Sequence, residues 1–262
     1  MNRSFLQDYA EMIGQICRKH PEILPLLEEL VGSMNGQTYR AYQPDSFARF
    51  QEHPAFAPLL KSFIAHNEDN NGGDIPRLWT LILNLEQIVA QRIGGDFAEL
   101  GVWKGNTASV LAHYAANAGR TVFLFDTFEG FDHSDLVGAD AVHNDKMFRD
   151  TSIELVKSVI GDASRCCDFV AGRFPDVIPD RCRQRSYAAV SLDCDLYEPM
   201  KAGLDFFYPR LNRGGILFLH DYSSGHWPGA KKAVDEFCES SREFVILIPD
   251  KSGSAIVRKS KS

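Results

Sequence analysis

The distribution of apolar and polar positions divides the chain into two regions. Up to residue 73, apolar side chains recur at helical spacing in three stretches separated by polar residues. The first stretch follows Ser4, the second begins at Pro21 and the third opens at Pro54. A polar run ending in two glycines closes this region. Residues 1–73 are therefore predicted to form a helical N-terminal extension that caps a site or mediates dimerisation.

Residues 74–262 follow a different pattern, in which helical stretches alternate with short apolar runs. Several of these runs are apolar throughout, which is typical of strands buried on both faces of a sheet. The predicted strands are Phe97–Val102, Thr121–Phe125, Phe169–Ala171, Ala188–Leu192, Gly215–Leu219, Phe244–Ile248 and Ala255–Arg258. The predicted helices are Ile75–Ile93, Thr107–Ala118, Ile153–Ile160, Met200–Tyr208 and Ala230–Cys238. This alternation predicts an α/β domain with a Rossmann-like, doubly wound parallel sheet of about seven strands, the last two antiparallel because only a short turn joins them.

Composition narrows the class of protein. The 262 residues carry a net charge of −7, which argues against nucleic-acid binding through a broad basic surface. No run approaches the roughly 20 apolar residues of a membrane-spanning helix, and the N-terminus lacks the apolar core of a signal peptide. The six cysteines show no zinc-binding spacing, and a chain of this length needs no disulfides. We expect a soluble cytoplasmic protein that binds neither nucleic acid nor membrane.

The first strand-to-helix loop, FAELGVWKGNTA, restricts the cofactor. Glu99 and Gly101 lie at the strand end and Gly105 lies in the loop. Trp103 takes the place of the glycine that lets a dinucleotide pyrophosphate approach the backbone, so NAD and FAD are disfavoured. Lys104 precedes Gly105, which does not match a Walker A phosphate-binding loop.

S-adenosyl-L-methionine carries no phosphate and suits an E-x-G-x-x-x-G loop. Asp126 ends the next strand, where an acid can accept hydrogen bonds from the ribose hydroxyls of a cofactor. Each feature by itself is also typical of ordinary turns and caps. Their order at successive strand ends favours cofactor binding.

Polar side chains also follow the fourth and fifth predicted strands. Asp193 and Asp195 follow one strand, and His220 and Asp221 follow the other. If these strands are parallel neighbours, the side chains converge and suit a divalent cation such as Mg²⁺, which would activate an acceptor hydroxyl with Asp193 as the base. Two alternatives stay open: a metal-free site in which His220 is the base and Asp193 orients it, and a purely structural role as turn caps and a buried histidine.

Several segments in order resemble the TylF (macrocin) type of S-adenosylmethionine-dependent O-methyltransferase. They are GDFAELGVWKGNTASVLA, VFLFDTFEGF, GRFPDVIP, SLDCDLYEPMKAGLDFFYPRLNRGGILFLHDY and GAKKAVDEF, and the resemblance runs from about Ile75 to Phe244. Members of that family methylate sugar hydroxyls, notably on antibiotic glycosides.

The resemblance implies roles for particular residues. The methionine and ribose parts of the cofactor would be held by Glu99, Gly101 and Asp126, and the adenine would lie near Gly172, Arg173 and Phe174. Asp193 would be both metal ligand and base. The family commonly has two acids before the tyrosine at the end of strand five, and here the first of them is His220. An imidazole in place of a carboxylate weakens a Mg²⁺ site.

The long polar segment Gly130–Thr151 follows the second predicted strand. Loops of this length are typically lids or binding loops, so we expect it to cover a substrate, with His133 or His143 touching the acceptor. A mobile surface loop with inactive histidines is the alternative.

The sequence thus predicts methyl transfer from S-adenosylmethionine to a hydroxyl of a sugar or glycosylated small molecule, by a chain that can form a homo-oligomer. A hydroxylase built on the same scaffold and a non-catalytic binding subunit remain as alternatives.

Overall fold

The computed structural model describes residues 19–20, 52–67 and 74–260. The chain divides into two compact units, Met1–Asp45 and Ser46–Ser262. The helices predicted after Ser4 and from Pro21 lie outside the described residues, apart from residues 19 and 20. The polar run after Asn67 also lies outside them.

Seven strands form one sheet in the order β3-β2-β1-β4-β5-β7-β6. The first five in that order are parallel, and β7 is antiparallel to both β5 and β6. The strands are β1 (Asp96–Leu100), β2 (Val122–Asp126), β3 (Cys167–Ala171), β4 (Tyr187–Leu192), β5 (Leu211–Leu219), β6 (Ile246–Leu247) and β7 (Ala255–Arg258). The predicted doubly wound sheet and its antiparallel last pair are confirmed.

Seven α-helices accompany the sheet within the described part of the chain. They are α1 (Phe56–Phe63), α2 (Ile75–Ala90), α3 (Asn106–Ala118), α4 (Ile153–Ile160), α5 (Asp180–Arg183), α6 (Tyr197–Arg210) and α7 (Pro228–Ser241). Every helix predicted between residues 54 and 262 is present. The one-turn α5 was missed, because four residues are too short to show a helical period.

Two element boundaries differ from prediction for physical reasons. Helix α6 begins at Tyr197, three residues before the predicted start, because Pro199 fits the first turn of a helix, where its missing N–H is not needed. Strand β6 covers only Ile246–Leu247, and Phe244 before it is 84% exposed, so the apolar run extends beyond the paired strand.

Apolar layers cover both faces of the sheet. One layer joins α1, α2 and α3 to the sheet and contains Phe63, Leu85 and Leu111. The other packs α6 and α7 against the opposite face and contains Phe207 and Val234. The third predicted helix, α1, is thus part of the main core. The domain boundary at residue 73 stays a prediction.

The edge of the sheet at the carboxyl ends of β1 and β4 is the point where the connections reverse direction. From β1 the chain builds β2 and β3 on one side, and it then returns to add β4 and β5 on the other. In such sheets the crevice between these two strands is the usual ligand site. The backbone N–H of Asp193 donates to Leu100 O at 2.8 Å, which holds the two strand ends together.

Gly101 makes this close approach possible. Its φ is +83°, and a β-carbon there would overlap the carbonyl oxygen of Asp193. The glycine in the first loop is therefore required for packing the strand ends, whether or not a ligand is bound.

We predict that Gly101→Ala lowers the free energy of unfolding by more than about 2 kcal/mol, because both the left-handed backbone and the contact with Asp193 resist a side chain. Gly119→Ala is the matched control, since Gly119 is also left-handed (φ +63°) but has nothing within 4 Å of an added β-carbon. It should lose only about 1 kcal/mol. Denaturant unfolding measures both, and equal losses would contradict the close approach.

Within the described residues, no helix is long and apolar enough to cross a membrane. The five described cysteines, Cys166, Cys167, Cys182, Cys194 and Cys238, are free thiols.

Candidate active site

A cavity of about 410 Å³ lies at the carboxyl ends of the parallel strands. Most of the predicted site residues line it: Glu99, Gly101, Asp126, Gly172, Arg173, Phe174, Asp193, His220 and Asp221. Gly105 does not. It precedes α3 with a φ of +84° and packs against Val156 of α4, so its role in the structure is to let the helix begin in a tight turn.

Asp126 joins the loops that follow β1 and β2. Its Oδ2 accepts hydrogen bonds from the backbone N–H groups of Val102 (2.6 Å) and Trp103 (2.8 Å), and its Oδ1 accepts one from Phe128 N at 2.7 Å. This is the capping role that the sequence also allowed. Because the carboxylate still lines the cavity, ribose binding by Asp126 stays a prediction.

Glu99 has a buried carboxyl oxygen without a hydrogen-bond partner among the described residues. The residue is 1% exposed, and the oxygen without a partner is Oε2. Burial and, to a smaller extent, the nearby charge of Asp193 raise the pKa of Glu99 well above its ordinary value. A carboxylate in this position is unfavourable unless a cation or a donor reaches it, and the cavity that it lines gives such a group access.

Arg77 is the site residue that the sequence analysis missed. Its Nη2 donates to Asp193 Oδ2 at 2.7 Å and to Thr107 Oγ1 at 3.0 Å, and its Nη1 lies 2.7 Å from His220 Nε2. The signal was present in the pattern of α2, because Arg77 shares the buried face of the helix with Leu81 and Leu85, one and two turns later. A charged residue on such a face needs a buried partner.

The start of α2 holds Arg77 in place. Asp74 caps the helix, and its Oδ1 accepts from Arg77 N at 3.3 Å, while Pro76 occupies the first turn. The guanidinium lies over the ring of Phe63 in α1, 5.9 Å from its centroid. Two helices therefore fix the cation at the crevice.

The ends of β4 and β5 meet as the predicted topology requires. His220 Nδ1 lies 2.6 Å from Asp193 Oδ1 and 2.6 Å from Asp221 Oδ2, without the alignment of a linear hydrogen bond to either oxygen. The three candidate ligand atoms lie within 4.8 Å of one another. Carboxylate oxygens so placed suit a hard divalent cation.

The two acids after β4 have opposite electrostatic environments. Burial alone would raise the pKa of Asp193, but its contacts with His220 and Arg77 hold the pKa well below its ordinary value. Burial, together with the charges of Asp193 and Asp221, raises the pKa of Asp195 well above its ordinary value. Asp193 is thus ionised at neutral pH, whereas ionisation of Asp195 is disfavoured by the same surroundings.

The segment Gly130–Thr151, called here the lid segment, is anchored by two buried acids. Asp135 is 4% exposed and pairs with Arg173, whose Nη2 lies 2.6 Å from Asp135 Oδ1. Asp140 is fully buried, accepts from Tyr197 N at 2.7 Å and packs against Gly229, so it lies at the N-termini of α6 and α7 together. The segment is ordered by these contacts.

Aromatic side chains join the lid segment to the rim of the cavity. Phe131 and Phe148 pack edge-to-face at 5.3 Å between ring centroids, and Phe131 contacts Trp227 at 5.7 Å. All three line the cavity, whereas His133 and His143 do not. His143 instead contacts Trp227 with the two rings tilted at 41° and their centroids 4.3 Å apart. The structure therefore gives no support to an acceptor contact by either histidine.

Comparison with known proteins gives a consistent result. The family described as macrocin O-methyltransferase (TylF) matches residues 73–244. The chain is 31% identical over 168 residues to the 8-demethyl-8-(2,3-dimethoxy-alpha-L-rhamnosyl)-tetracenomycin-C 4'-O-methyltransferase of Streptomyces olivaceus, covering 57% of this chain and 61% of that protein. It is 28% identical over 179 residues to the demethyldecarbamoylnovobiocin O-methyltransferase of Streptomyces niveus, covering 62% and 65%. The matched part is thus less than two thirds of the length of either relative.

A solved structure agrees with these sequence relatives. The O-methyltransferase NovP superposes with a TM-score of 0.60 and 25% identity, covering 71% of this chain and 81% of that one.

Proposed function

The chain belongs to the macrocin O-methyltransferase (TylF) family, and on this basis we propose that it transfers a methyl group from S-adenosylmethionine to a hydroxyl of a sugar or of a glycosylated small molecule. The observation that carries the proposal is the cavity at the ends of β1 and β4. It contains the buried carboxyl of Glu99, whose Oε2 has no hydrogen-bond partner among the described residues, and the ionised carboxylate of Asp193, and its first loop is not a phosphate-binding loop. This chemistry suits a cationic, phosphate-free cofactor beside an acceptor hydroxyl.

The residues of the cavity fit S-adenosylmethionine in type and place. Glu99 would receive the ammonium group of the methionine part, which supplies the partner that this carboxyl lacks. Asp126 would receive the ribose hydroxyls, and Gly172, Arg173 and Phe174 at the end of β3 would lie near the adenine. When bound, this cofactor supplies an electrophilic methyl group on a sulfonium.

Asp193 would position and deprotonate the acceptor. The ionised carboxylate accepts a hydrogen bond from the hydroxyl and aims its oxygen in line with the methyl group. Asp193 would take up the hydroxyl proton as the acceptor oxygen receives the methyl group that the bound cofactor supplies. Since Arg77 makes Asp193 a weak base, orientation contributes more to this step than basicity does.

A divalent cation would be held through the carboxylates of Asp193 and Asp221, the two oxygen ligands that converge there. Its chemistry would be to lower the pKa of a bound hydroxyl.

The aromatic rim supports a glycosylated acceptor. The side chains of Phe131, Phe148 and Trp227 form an apolar wall of the cavity, which suits the flat faces of sugar and aromatic rings. The Streptomyces olivaceus relative is named for a rhamnosyl substrate. Residues 1–73 are proposed to cap the acceptor site or to form a dimer interface, because the apolar positions of the two helices predicted after Ser4 and from Pro21 require burial.

Glu99→Gln should change cofactor affinity and protein stability in opposite directions. We expect the affinity for S-adenosylhomocysteine to fall by at least about tenfold in calorimetry, because the amide cannot pair with the ammonium group as an ion. The melting temperature of the unliganded protein should rise, by about 2–4 °C for each kcal/mol. Since burial raises the folded-state pKa of Glu99, the carboxyl destabilises the fold as pH rises above its unfolded value, so the gain should be absent at low pH and present at neutral pH.

Glu129→Gln is the control for this experiment, because Glu129 lies near the same loops but is exposed. It should change neither property. Unchanged affinity in Glu99→Gln, or binding of NAD in preference to S-adenosylhomocysteine, would contradict the cofactor assignment.

Methyl transfer itself is tested with deuterated-methyl S-adenosylmethionine and a panel of glycosides paired with their aglycones. Mass spectrometry should locate the deuterated methyl group on a sugar hydroxyl. Asp193→Asn should lower kcat by at least about 100-fold, whereas the exposed helix variant Asp205→Asn should not. Normal turnover by Asp193→Asn would reject the role of Asp193 in methyl transfer. Methylation of aglycones alone would reject a sugar as the acceptor. No transfer across the panel would favour a non-catalytic binding subunit.

A further inference from the structure

We propose that Arg77 is a positioning residue that fixes His220 in the tautomer protonated on Nδ1, and that His220 consequently does not bind a divalent cation with Asp193 and Asp221. The inference rests on the contacts of Arg77, a residue with no role assigned so far, and it refines the proposed function at the same site.

The tautomer follows from the donors available to each residue. Arginine carries only N–H donors, so Nη1 of Arg77, 2.7 Å from His220 Nε2, requires a lone pair on that nitrogen. A neutral imidazole has one N–H, which must then lie on Nδ1. Protonation of both nitrogens would place an N–H of His220 directly against an N–H of Arg77.

Arg77 has little freedom to release His220. Its other terminal nitrogen is engaged by Asp193 Oδ2 at 2.7 Å and by Thr107 Oγ1 at 3.0 Å, and the side chain is 10% exposed. Moving the guanidinium away would leave Asp193 without its buried counter-charge, which is strongly unfavourable.

The consequence for a metal ion is direct. A metal-bound histidine uses a lone pair toward the ion and normally donates its other N–H to an acceptor. Here neither requirement is met. Nε2 of His220 faces the donor Arg77, and Nδ1, which lies 2.6 Å from each carboxylate, carries the proton instead of a free lone pair. The ligand set for a divalent cation therefore falls from three side chains to the carboxylates of Asp193 and Asp221.

The same geometry gives His220 a different role. Its Nδ1–H lies beside one oxygen of each carboxylate and reduces the repulsion between them, much as a cation would. The charge of Arg77 and the Nδ1–H dipole of His220 thus offset the repulsion within the acid pair without an ion.

The first test uses the full wild-type chain labelled with nitrogen-15 in histidine. Long-range proton–nitrogen correlation should show an unprotonated Nε2 and a protonated Nδ1 for His220, with its signals identified by their loss in His220→Gln. Addition of cadmium-113 should give no scalar coupling to either ring nitrogen of His220. A protonated Nε2, or cadmium coupling to Nδ1, would overturn the inference.

Arg77→Met supplies the second test, by manganese binding measured with electron paramagnetic resonance. Releasing Nε2 allows Nδ1 to offer a lone pair, so we expect manganese affinity at least about tenfold above wild type, together with a histidine-nitrogen modulation of the manganese signal that the lost charge beside Asp193 alone would not produce. Arg181→Met, which removes an exposed arginine paired with Asp168, should leave the affinity at the wild-type value. Equal affinity in a folded Arg77→Met would also count against the proposal.

Neither measurement needs a methyl donor or acceptor. A chain that shows this tautomer but transfers no methyl group would retain the inference and lose the proposed function. A chain that transfers the methyl group but has a protonated Nε2 in His220 would retain the proposed function and lose the inference.

Discussion

The buried ion pair between Arg77 and Asp193 is the constraint on which the rest of the site depends. Neither charge is stable alone at this depth, since removing one partner of such a pair leaves the other uncompensated at a loss of about 3–5 kcal/mol. The pair links α2 to the end of β4, and the same guanidinium reaches Thr107 in α3 and His220 after β5. Four elements must therefore meet at one point, which is the reversal point of the sheet.

The surrounding charges explain why this point suits a cationic cofactor. Acids line the cavity at the ends of several strands, and the fewer arginine and lysine residues of its lining, Arg77, Lys104, Arg173 and Lys251, balance only part of them. Glu99 makes no ion pair with either Arg77 or His220 among the described residues, and its Oε2 has no hydrogen-bond partner there. Part of the negative charge behind the net charge of −7 thus lies at the cavity, where a sulfonium and an ammonium group would bind. The opposite pKa shifts of Asp193 and Asp195 arise from the same asymmetry, because Asp193 contacts His220 and Arg77, whereas Asp195 is buried beside the charges of Asp193 and Asp221.

Periodicity and topology were sufficient to predict the sheet and much of the cavity. Fully apolar runs identify strands buried on both faces, and parallel order brings Asp193, His220 and Asp221 together even though the chain separates them. Arg77 could not be placed in the same way, because its partner lies 116 residues away and a single charged residue in a first helical turn has many ordinary explanations. The roles of Asp135 and Asp140 were not predicted, for a similar reason. Asp135 is held by the distant Arg173 and Asp140 by the N-terminus of α6, and neither contact leaves a local sequence motif.

A double-mutant cycle on the unliganded protein tests this central constraint most directly. The free energies of unfolding of wild type, Arg77→Met, Asp193→Asn and the double variant give the coupling between the two side chains. A buried pair that organises the site predicts a coupling of at least about 2 kcal/mol, with the double variant more stable than the sum of the single losses implies. A coupling below about 0.5 kcal/mol, the value of an exposed ion pair, would contradict the account.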